Sequence, residues 1–396
     1  MKAIFFDDSS RDHLLPLTFT RPISELRVGI LTISEKWSKY LETDQFSWLT
    51  LAYLSEKYPF NANEMNLMIN GSVLPDLELI HEILKLKSGQ ALWKDKTPIA
   101  AIVDYNAANS FIETSLRVCN PIEYNSKISK INYPWNIFSL NEQEIEKDFH
   151  LITKNRKSKD ISDHNQILQK ERIFVEESAI INFVTINPCG GYVYIGKDAE
   201  IMEASVLRGS VAVCDHAIVK ASSKIYGATT LGPQCRGGGE IHNSVLLQNS
   251  NKGHDGFLGN SVLGEWCNLG ADTNNSNLKN NYAEVKVWNY VQESFIKTGL
   301  TFCGLIMGDH SKCGINTMFN TGTVVGVSAN IFGSGFPRNF IPSYSWGGAS
   351  GFAEYKLKDA LKTAEIVMKR RNLELTGTEV NILQEIFSLT QKYRRF

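Results

Sequence analysis

The sequence carries almost no net charge, and this argues against partners that are bound mainly through charge. Lys and Arg number 41 and Asp and Glu number 42, so the net charge at pH 7 is -1. A protein with so little net charge has no long-range electrostatic attraction to nucleic acid or to an anionic membrane surface. The sequence also lacks any apolar run of membrane-spanning length. We therefore expect neither nucleic-acid nor membrane partners.

Closely paired cysteines and a secretory leader are also missing. The seven cysteines are scattered along the chain, which gives no disulfide framework. The segment 1–8 (MKAIFFDD) reaches acidic residues at once and lacks the apolar stretch and cleavage site of a signal peptide. We therefore expect a cytoplasmic protein with reduced thiols.

What the chain does contain is a strict six-residue period. A helix repeats near 3.6 residues and a strand at 2, so neither alone predicts a sustained period of six. Short parallel strands joined by tight corners do, and the pattern indicates a hexapeptide parallel β-helix with apolar anchors pointing inward. Small or compact side chains follow four residues after each anchor. The fifteen anchors are Ile195, Ile201, Leu207, Val213, Val219, Ile225, Leu231, Phe257, Leu263, Leu269, Met307, Cys313, Phe319, Val325 and Ile331.

The repeat is interrupted twice, at about 237–256 and at about 274–306. A β-helix carries no chemistry of its own, because function lies in sites grafted on a fold. Insertions in repeat proteins map to loops on one face. We therefore expect the functional site at these interruptions.

The chain before the repeat predicts an α/β domain. Alternating strands and helices favour an open, mainly parallel sheet, whose ligands bind beyond the carboxyl ends of its strands. Loops 7–21 and 70–76 lie at those ends. The predicted elements are strands at Ala3–Phe6, Met65–Asn70 and Ile99–Val103, a helix within 14–37 that carries Ile23, Leu26, Ile30 and Ile33 on one face, and a helix carrying Leu79, Ile80, Ile83 and Leu84.

Changes in composition predict three regions. Residues 1–165 form the α/β domain, with a polar linker at its end, and 173–345 form the β-helix. Residues 352–396 predict two C-terminal helices, the second opened by a capping box at Thr376 and Glu379.

The run 251–277 carries the most specific motif. It contains Gly253-His254, Phe257-Leu258-Gly259, Asn268-Leu269-Gly270-Ala271 and Asn277. This run resembles the acetyltransferase core of the bifunctional N-acetylglucosamine-1-phosphate uridyltransferase/glucosamine-1-phosphate acetyltransferase family. The resemblance implies a left-handed β-helix, a homotrimer and acetyl-CoA as co-substrate. Its ligands would be small molecules, a sugar phosphate and a coenzyme A thioester.

The same resemblance assigns roles to residues. His254 would be the general base, because an amine attacking a thioester loses a proton and a neutral imidazole accepts one near pH 7. His242 stays open as a rival base. Phe257 replaces a family tyrosine and Ile315 a family serine, which leaves the acceptor open. The implied substrate-binding residues are Phe257, Asn268, Asn277 and Lys252, and the implied acetyl-CoA-binding residues are Ala271 and Gly333.

The N-terminal domain resembles the nucleotidyltransferase half of the same family through Thr20-Arg21 and Leu26-Arg27. The family's glycine-rich loop is replaced by PLTF (16–19), although phosphate cradling by backbone amides favours glycine. The resemblance implies nucleotide or phosphate contacts at Arg21, Arg27, Lys36 and Gly71, with UTP as substrate and Asp76 as a Mg²⁺ ligand. The alternative is that these are ordinary loop residues.

The whole chain resembles a divergent subgroup of this family, which shares the PLTFTRP loop (16–22), YPWNIF (133–138) and PSYSWGG (342–348). The resemblance implies a multifunctional enzyme of UDP-N-acetylglucosamine biosynthesis. Its β-helix would acetylate an amino-sugar phosphate such as glucosamine-1-phosphate, and its N-terminal domain would transfer a uridylyl group to N-acetylglucosamine-1-phosphate. One alternative is an acyltransferase for another amino sugar, with nucleotide-linked amino sugars among the candidates, and a catalytically inactive N-terminal binding module. Another is a non-enzymatic trimeric scaffold.

Overall fold

The computed structural model describes residues 2–110 and 119–396, which divide into two compact units. The first unit comprises Met1–Leu14, Thr20–Leu26 and Leu31–Tyr133, and the second comprises Leu15–Phe19, Arg27–Ile30 and Pro134–Phe396. Within the described ranges, no helix combines the length and the apolar character needed to cross a membrane.

The described strands of the first unit are β1 (Lys2–Phe6), β2 (Phe46–Leu49), β3 (Met65–Asn70), β4 (Val73–Leu74), β5 (Gln90–Lys94), β6 (Thr97–Asp104), β7 (Asn120–Glu123) and β8 (Ser129–Lys130). Six of them form a mixed sheet in the order β2-β1-β3-β6-β5-β7, and β4 pairs separately with β8. Strand β1 runs parallel to β2 and β3, and β5 runs parallel to β7. Strand β6 is antiparallel to both β3 and β5. The three predicted strands are present, but the sheet is less parallel than predicted.

The helices of the first unit are α1 (Ser10–His13), α2 (Ile33–Leu41), α3 (Leu77–Ile83) and α4 (Tyr105–Asn109). The predicted helix through Ile23 and Ile30 is wrong. Ile23–Glu25 form one 3-10 turn, and α2 begins only at Ile33, after a capping box in which the Glu35 amide donates to the Thr32 hydroxyl at 3.2 Å. Ile23, Leu26 and Ile30 are buried although they lie outside an α-helix, because the loop that carries them is packed inside the protein. Leu84 follows α3 and is 65% exposed, so its predicted place on the buried face is also wrong.

The second unit is a parallel β-helix with three faces, as predicted. The first face consists of Ile173–Val175, Val193–Ile195, Val211–Val213, Thr229–Leu231, Val245–Leu246, Val262–Leu263, Ile306–Met307, Val324–Val325 and Phe340–Ile341. The second face consists of Ile180–Ile181, Glu200–Ile201, Ile218–Val219, Arg236–Gly237, Asn251–Lys252, Asn268–Leu269, Lys312–Cys313, Asn330–Ile331 and Ser345–Gly348, with Gly351–Glu354 added antiparallel. The third face consists of Gln166–Ile167, Thr185–Asn187, Val206–Arg208, Lys224–Tyr226, Glu240–His242 and Phe257–Gly259, followed by the separate pair Asn274–Asn275 and Met318–Phe319.

The predicted anchors form one continuous buried core, with a single exception. At the position predicted for Phe257 the structure turns Leu258 inward, at 1% exposure, and leaves Phe257 only partly buried. Phe257 was therefore the wrong anchor. The repeat frame had slipped by one residue, because the coils around it are shorter than eighteen residues.

The two interruptions of the repeat differ in kind. Regular coils place Ile195 beside Val213 and Val213 beside Leu231, a step of eighteen residues. The next steps bring Leu231 to Leu246 and Leu246 to Leu263, which are fifteen and seventeen residues. The first interruption is thus a pair of shortened coils rather than a loop. The second is a true insertion, which contains the antiparallel hairpin Lys286–Asn289 and Ser294–Lys297.

Three longer helices complete the second unit, namely α5 (Pro134–Thr153), α6 (Leu357–Lys369) and α7 (Gly377–Leu389). The Asn141 amide of α5 donates to the Ala228 carbonyl of the β-helix at 2.7 Å. Helix α7 begins at the predicted capping box of Thr376 and Glu379. It docks on the last coil, where the Tyr344 hydroxyl donates to the Leu383 carbonyl at 2.7 Å.

Candidate functional site

His254 lies on the corner that joins the second face to the third. This corner is 253–256, between the strands Asn251–Lys252 and Phe257–Gly259. The His254 side chain is exposed, and no described residue forms a hydrogen bond with its imidazole. An exposed imidazole of this kind is available to a ligand that approaches the corner.

The corresponding corner of the preceding coil is unusually short. In the regular coil 213–231 the same corner has four residues, 220–223, whereas in the coil before His254 only Gly238 and Gly239 separate the two strands. A methyl group on Gly238 would lie 2.5 Å from the Gly253 carbonyl oxygen, so the two backbones are in close contact. The four-residue corner 253–256 therefore projects beyond the two-residue corner 238–239 of the preceding coil.

Ala271 and Gly333 lie on the same edge of the β-helix as His254. The pairs Asn251–Asn268, Asn268–Lys312 and Lys312–Asn330 fix the coil register. Three residues beyond these paired positions stand His254, Ala271, Ile315 and Gly333, in that order. The stack is held by backbone hydrogen bonds, including that from the Asn316 amide to the Ala271 carbonyl at 2.8 Å. With strands about 4.8 Å apart, this edge runs roughly 14 Å from His254 to Gly333.

Phe257 and Asn277 converge over Gly259 on the third face. A methyl group on Gly259 would lie 2.5 Å from Cζ of Phe257 and 2.7 Å from Nδ2 of Asn277. Asn277 also donates to the Asn260 side-chain oxygen at 2.8 Å. The absence of a side chain at 259 thus brings an aromatic ring and a primary amide together beside the His254 corner.

A row of polar side chains runs along the second face past His254. Arg236 pairs in register with Asn251, and Asn251 pairs with Asn268, which is exposed. Arg371, just after α6, reaches this row and donates to the Gln234 carbonyl at 3.0 Å and to Oδ1 of Asn251 at 3.1 Å. Burial and the nearby Arg236 lower the pKa of Arg371.

This row carries positive charge without a matching anion. Among the described residues, no carboxylate lies within 4.0 Å of Arg236, Arg370 or Arg371. The acceptors of Arg371 are neutral amide and carbonyl oxygens. Arginine binds phosphate well because its planar fork can donate two parallel hydrogen bonds. The geometry therefore suits an anionic ligand next to Asn268 and His254.

Lys252 does not face this row. It occupies the inward position of its strand at 1% exposure, and its ammonium group donates to three backbone carbonyls. It cannot reach a phosphate on the surface in this conformation.

His242, the rival base, lies one coil before Gly259 in register. Its ring stacks on Tyr226 with the ring centroids 4.7 Å apart, and burial lowers its pKa. The imidazole is therefore neutral near pH 7, but it stands on the third face rather than on the edge that carries Ala271 and Gly333.

The four residues predicted to bind a nucleotide are buried. Arg21 and Lys36, in the first unit, are 4% and 1% exposed. Gly71 packs against the loop 20–26, since a methyl group there would lie 3.2 Å from the Ser24 amide. Arg27, in the second unit, is buried and donates to the Ile30 carbonyl. Asp76 caps α3, with its carboxylate accepting from the Leu79 amide at 2.9 Å.

A buried polar network occupies the carboxyl ends of the parallel strands β1 and β3. The Asp8 carboxylate accepts from Lys130 at 2.8 Å and from the Asn70 amide at 2.9 Å. Lys130 also donates to the Ser10 hydroxyl and to Asn132, both at 2.8 Å. Burial alone would raise the pKa of Asp8, but the Lys130 ammonium and the other donors lower it further than burial raises it. Ligands of open α/β sheets bind in this location, and here an internal ion pair fills it.

The carboxylates of this unit do not fit a magnesium site in this conformation. Asp76 is engaged as a helix cap and Asp8 by Lys130. Burial raises the pKa of Asp7, which favours its neutral acid. In the part of the chain that the structure describes, no three His, Cys, Asp or Glu side chains are grouped as metal ligands.

Comparison with known proteins places the chain in context. Residues 3–157 match the family model described as sugar nucleotidyl transferase. The bifunctional sugar-1-phosphate nucleotidylyltransferase/acetyltransferase of Sulfurisphaera tokodaii is 30% identical over 277 residues, which cover 69% of this chain and 62% of that protein. The bifunctional protein GlmU of Methanococcus aeolicus is 34% identical over 87 residues, which cover 22% of this chain and 20% of that protein.

The chain is related to this bifunctional family. The resemblance seen in the sequence is thereby confirmed, although the matched region spans less than two thirds of either relative. A solved hexapeptide transferase family protein from Anaplasma phagocytophilum is 14% identical and covers 56% of this chain and 92% of its own, with a TM-score of 0.21.

For two residues of the candidate site the sequence favours a different role from the one seen in the structure: for Arg371, complementing the dipole of α6, with a phosphate contact as the alternative, and for Lys252, binding the substrate. Arg371 lies 120 residues along the chain from Asn251, which it contacts. A contact over such a separation leaves no local pattern in the sequence from which it could be predicted. The inward position of Lys252 could have been found, because Leu246, Lys252 and Leu258 are six residues apart. The frame through Phe257 concealed that spacing.

Proposed function

We propose that the β-helix unit transfers an acetyl group from acetyl-CoA to the amine of an amino-sugar phosphate, with glucosamine-1-phosphate as the first candidate. The observation that carries this proposal is the shared edge of His254, Ala271 and Gly333. A thioester lying along that edge would bring its carbonyl carbon to the exposed imidazole. Ala271 and Gly333 would line the coenzyme, and the exposed Ile315 side chain between them would contact it.

In the proposed reaction the sugar amine attacks the thioester carbonyl carbon. A C–N bond forms, the C–S bond breaks, and the imidazole of His254 accepts the proton that the amine loses. Coenzyme A leaves as the free thiol once its sulfur is protonated. Asn268, Asn277 and Phe257 would contact the sugar from the two faces that meet at the His254 corner.

The phosphate of the acceptor would bind at the uncompensated cations of the second face. Arg236 and Arg371 stand beside Asn251 and Asn268 and have no carboxylate within 4.0 Å among the described residues. An anionic acceptor would relieve the repulsion between the two guanidinium groups. This part of the proposal replaces the role first given to Lys252.

The test is release of free thiol from acetyl-CoA in the presence of glucosamine-1-phosphate. We expect His254→Ala to lower the rate by about 10²-fold or more, as for loss of a general base. The matched control is His242→Ala, which removes a neighbouring imidazole and should keep most of the rate. If His242→Ala abolishes turnover while His254→Ala keeps it, the base is His242. If the wild-type protein does not turn over, this acceptor is wrong, and nucleotide-linked amino sugars are tested next.

For the first unit we propose a sugar-nucleotide role, supported by the match of residues 3–157 to a sugar nucleotidyl transferase family. The full form of this proposal is Mg²⁺- and UTP-dependent uridylyl transfer to N-acetylglucosamine-1-phosphate. The second form is a nucleotide-binding module without catalysis. The Asp8–Lys130 pair and the capping role of Asp76 favour the second form, in which no step passes through a metal. Pyrophosphate release from UTP and N-acetylglucosamine-1-phosphate would establish the full form.

The resemblance to this family supports a proposal about assembly, and the scattered cysteines support one about location. We propose a homotrimer in the cytoplasm whose ligands are small molecules. Light scattering on the purified full chain measures the first part, since a monomer or dimer would contradict it.

A further inference from the structure

One lysine interrupts an otherwise apolar column inside the β-helix. On the second face the inward positions before and after it are Val219 and Gly237, then Leu269, Cys313 and Ile331. Lys252 occupies the inward position between Gly237 and Leu269 at 1% exposure. Lysine is rarely found fully buried without hydrogen-bond partners, so its contacts define what it does.

All three N–H groups of the Lys252 ammonium are directed at the corner that carries His254 and at its shorter neighbour. The ammonium donates to the carbonyl oxygen of His254 itself, to that of Asp255 at 3.2 Å, and to that of Gly238 at 3.0 Å. Gly238 belongs to the shortened two-residue corner of the preceding coil. The ammonium thus links the overhanging corner to the shorter one beneath it.

Two of these carbonyl groups have no other donor among the described residues. The carbonyl oxygens of Gly238 and His254 accept no backbone hydrogen bond, whereas that of Asp255 also accepts from the Asp272 amide of the following coil at 3.1 Å. Buried carbonyl groups without a donor are costly. Lys252 is the side chain that satisfies them from within the core.

The Lys252 ammonium is buried, so its positive charge is poorly solvated by water. Burial lowers the pKa of Lys252 to about 8, against the opposing effects of Asp255, Asp272 and Cys313. Asp255 is exposed to solvent and Asp272 is also exposed, and the Cys313 thiol is neutral because burial raises its pKa. A neutral amine keeps only two N–H groups and loses the charge that strengthens hydrogen bonds.

We propose that Lys252 is a positioning residue, whose ammonium holds the corner 253–256 in the conformation that presents the His254 imidazole to the acyl donor. The proposal rests on the proposed role of His254 as base. Lys252 itself does not touch the substrate, because its ammonium group lies inside the coil.

The test compares Lys252→Met with wild type, because methionine retains most of the length of lysine and removes the charge. We expect kcat for thiol release to fall by about 10- to 100-fold, as for a misplaced catalytic group, while KM for acetyl-CoA stays within about twofold. In wild type the rate should also fall as pH rises through about 8, and this alkaline fall should be absent in Lys252→Met. Lys312→Met is the matched control, since burial likewise lowers the pKa of Lys312 to about 8 but its ammonium donates to the His310 carbonyl at 2.8 Å, outside the His254 corner.

A second readout keeps this proposal separate from the acceptor chemistry. The rate at which diethylpyrocarbonate modifies His254, followed by peptide mass spectrometry, should change with a midpoint near pH 8 in wild type and in Lys312→Met. In Lys252→Met that change should disappear. The same modification profile in all three proteins would overturn the positioning role, even if no acceptor is turned over. An altered profile without acetyl transfer would instead reject the proposed function and keep the link between Lys252 and the corner.

Discussion

Removing the positive charge of Lys130 should destabilise the first unit by an amount that a ligand-binding lysine would not show. Its ammonium lies 2.8 Å from the Asp8 carboxylate, and the two side chains are 14% and 3% exposed. In Lys130→Met the carboxylate keeps the Asn70 and Ser72 side chains and the Ser10 amide as donors, but no cation. Breaking a buried ion pair costs about 3 to 5 kcal/mol. We take about 3, because neutral donors remain and Lys130 retains some contact with water.

A loss of about 3 kcal/mol lowers the melting temperature of a unit of this size by roughly 10 °C. The effect should depend on pH with a defined sign. The pKa of Asp8 is lowered in the folded protein, so its contribution is present above the unfolded value of 3.8 and is lost as pH falls through the lower folded value. The difference between wild type and Lys130→Met should therefore be largest near neutral pH and shrink in acid.

The assay is differential scanning calorimetry of the full chain, with the double variant Asp8→Asn/Lys130→Met as control. Removing both charges should recover most of the lost stability, because the neutral amide oxygen still accepts hydrogen bonds from the buried donors and needs no cation. An unchanged melting temperature in Lys130→Met, together with lost UTP binding in titration calorimetry, would refute the structural role. Lys130 would then be a phosphate contact of an active nucleotidyl site.

Four further predictions concern the second unit. Arg371→Met should lower kcat/KM for a sugar-phosphate acceptor by about 10- to 100-fold through loss of a charge-assisted contact of about 1.5 to 3 kcal/mol, and adding salt should narrow the difference in steady-state assays. Leu263→Ala should cost about 2 to 5 kcal/mol in urea unfolding, because Leu263 is fully buried in the β-helix core. Gly256→Ala should destabilise by about 1 to 3 kcal/mol, since Gly256 has φ +110° and a methyl group would collide with the Thr273 carbonyl. The free energy of unfolding of wild type relative to Lys252→Met should rise between pH 8 and about 10.5, because folding lowers the pKa of Lys252, and denaturant titrations of both proteins separate this contribution from that of the buried thiols, which is common to both.

The β-helix was predictable because its determinant is local. Each coil repeats the same short strand and corner, so an inward residue such as Val213 or Val325 recurs at a fixed interval. The prediction was wrong only where the interval changed. The two shortened coils lose three residues and then one. Leu258 therefore lies five residues, rather than six, before the next inward residue, Leu263, and the six-residue frame predicts Phe257 in its place.

The first unit was less predictable because burial, rather than helix periodicity, dictates its loop composition. Ile23, Leu26 and Ile33 are all fully buried, yet only Ile33 belongs to an α-helix. A loop buried on all sides needs apolar residues at many positions, and some fall at helical spacing by chance. The polar network around Asp8 was likewise out of reach, because β8 contributes Lys130 from 122 residues further along the chain.

The candidate acyl-transfer site lies where the β-helix loses residues, and this location has a physical reason. A regular coil stacks corners of equal length, which are joined by backbone hydrogen bonds such as that from the Ser222 amide to the Glu203 carbonyl at 2.9 Å. Shortening one corner to Gly238 and Gly239 places a two-residue corner beside the four-residue corner that carries the exposed His254. In this arrangement the Gly238 and His254 carbonyl groups take their donor from inside the coil, and Lys252 supplies it. Restoring a four-residue corner by inserting two residues between Gly238 and Gly239 should therefore remove the need for Lys252 and also cover His254, so stability should survive Lys252→Met while thiol release is lost in both backgrounds.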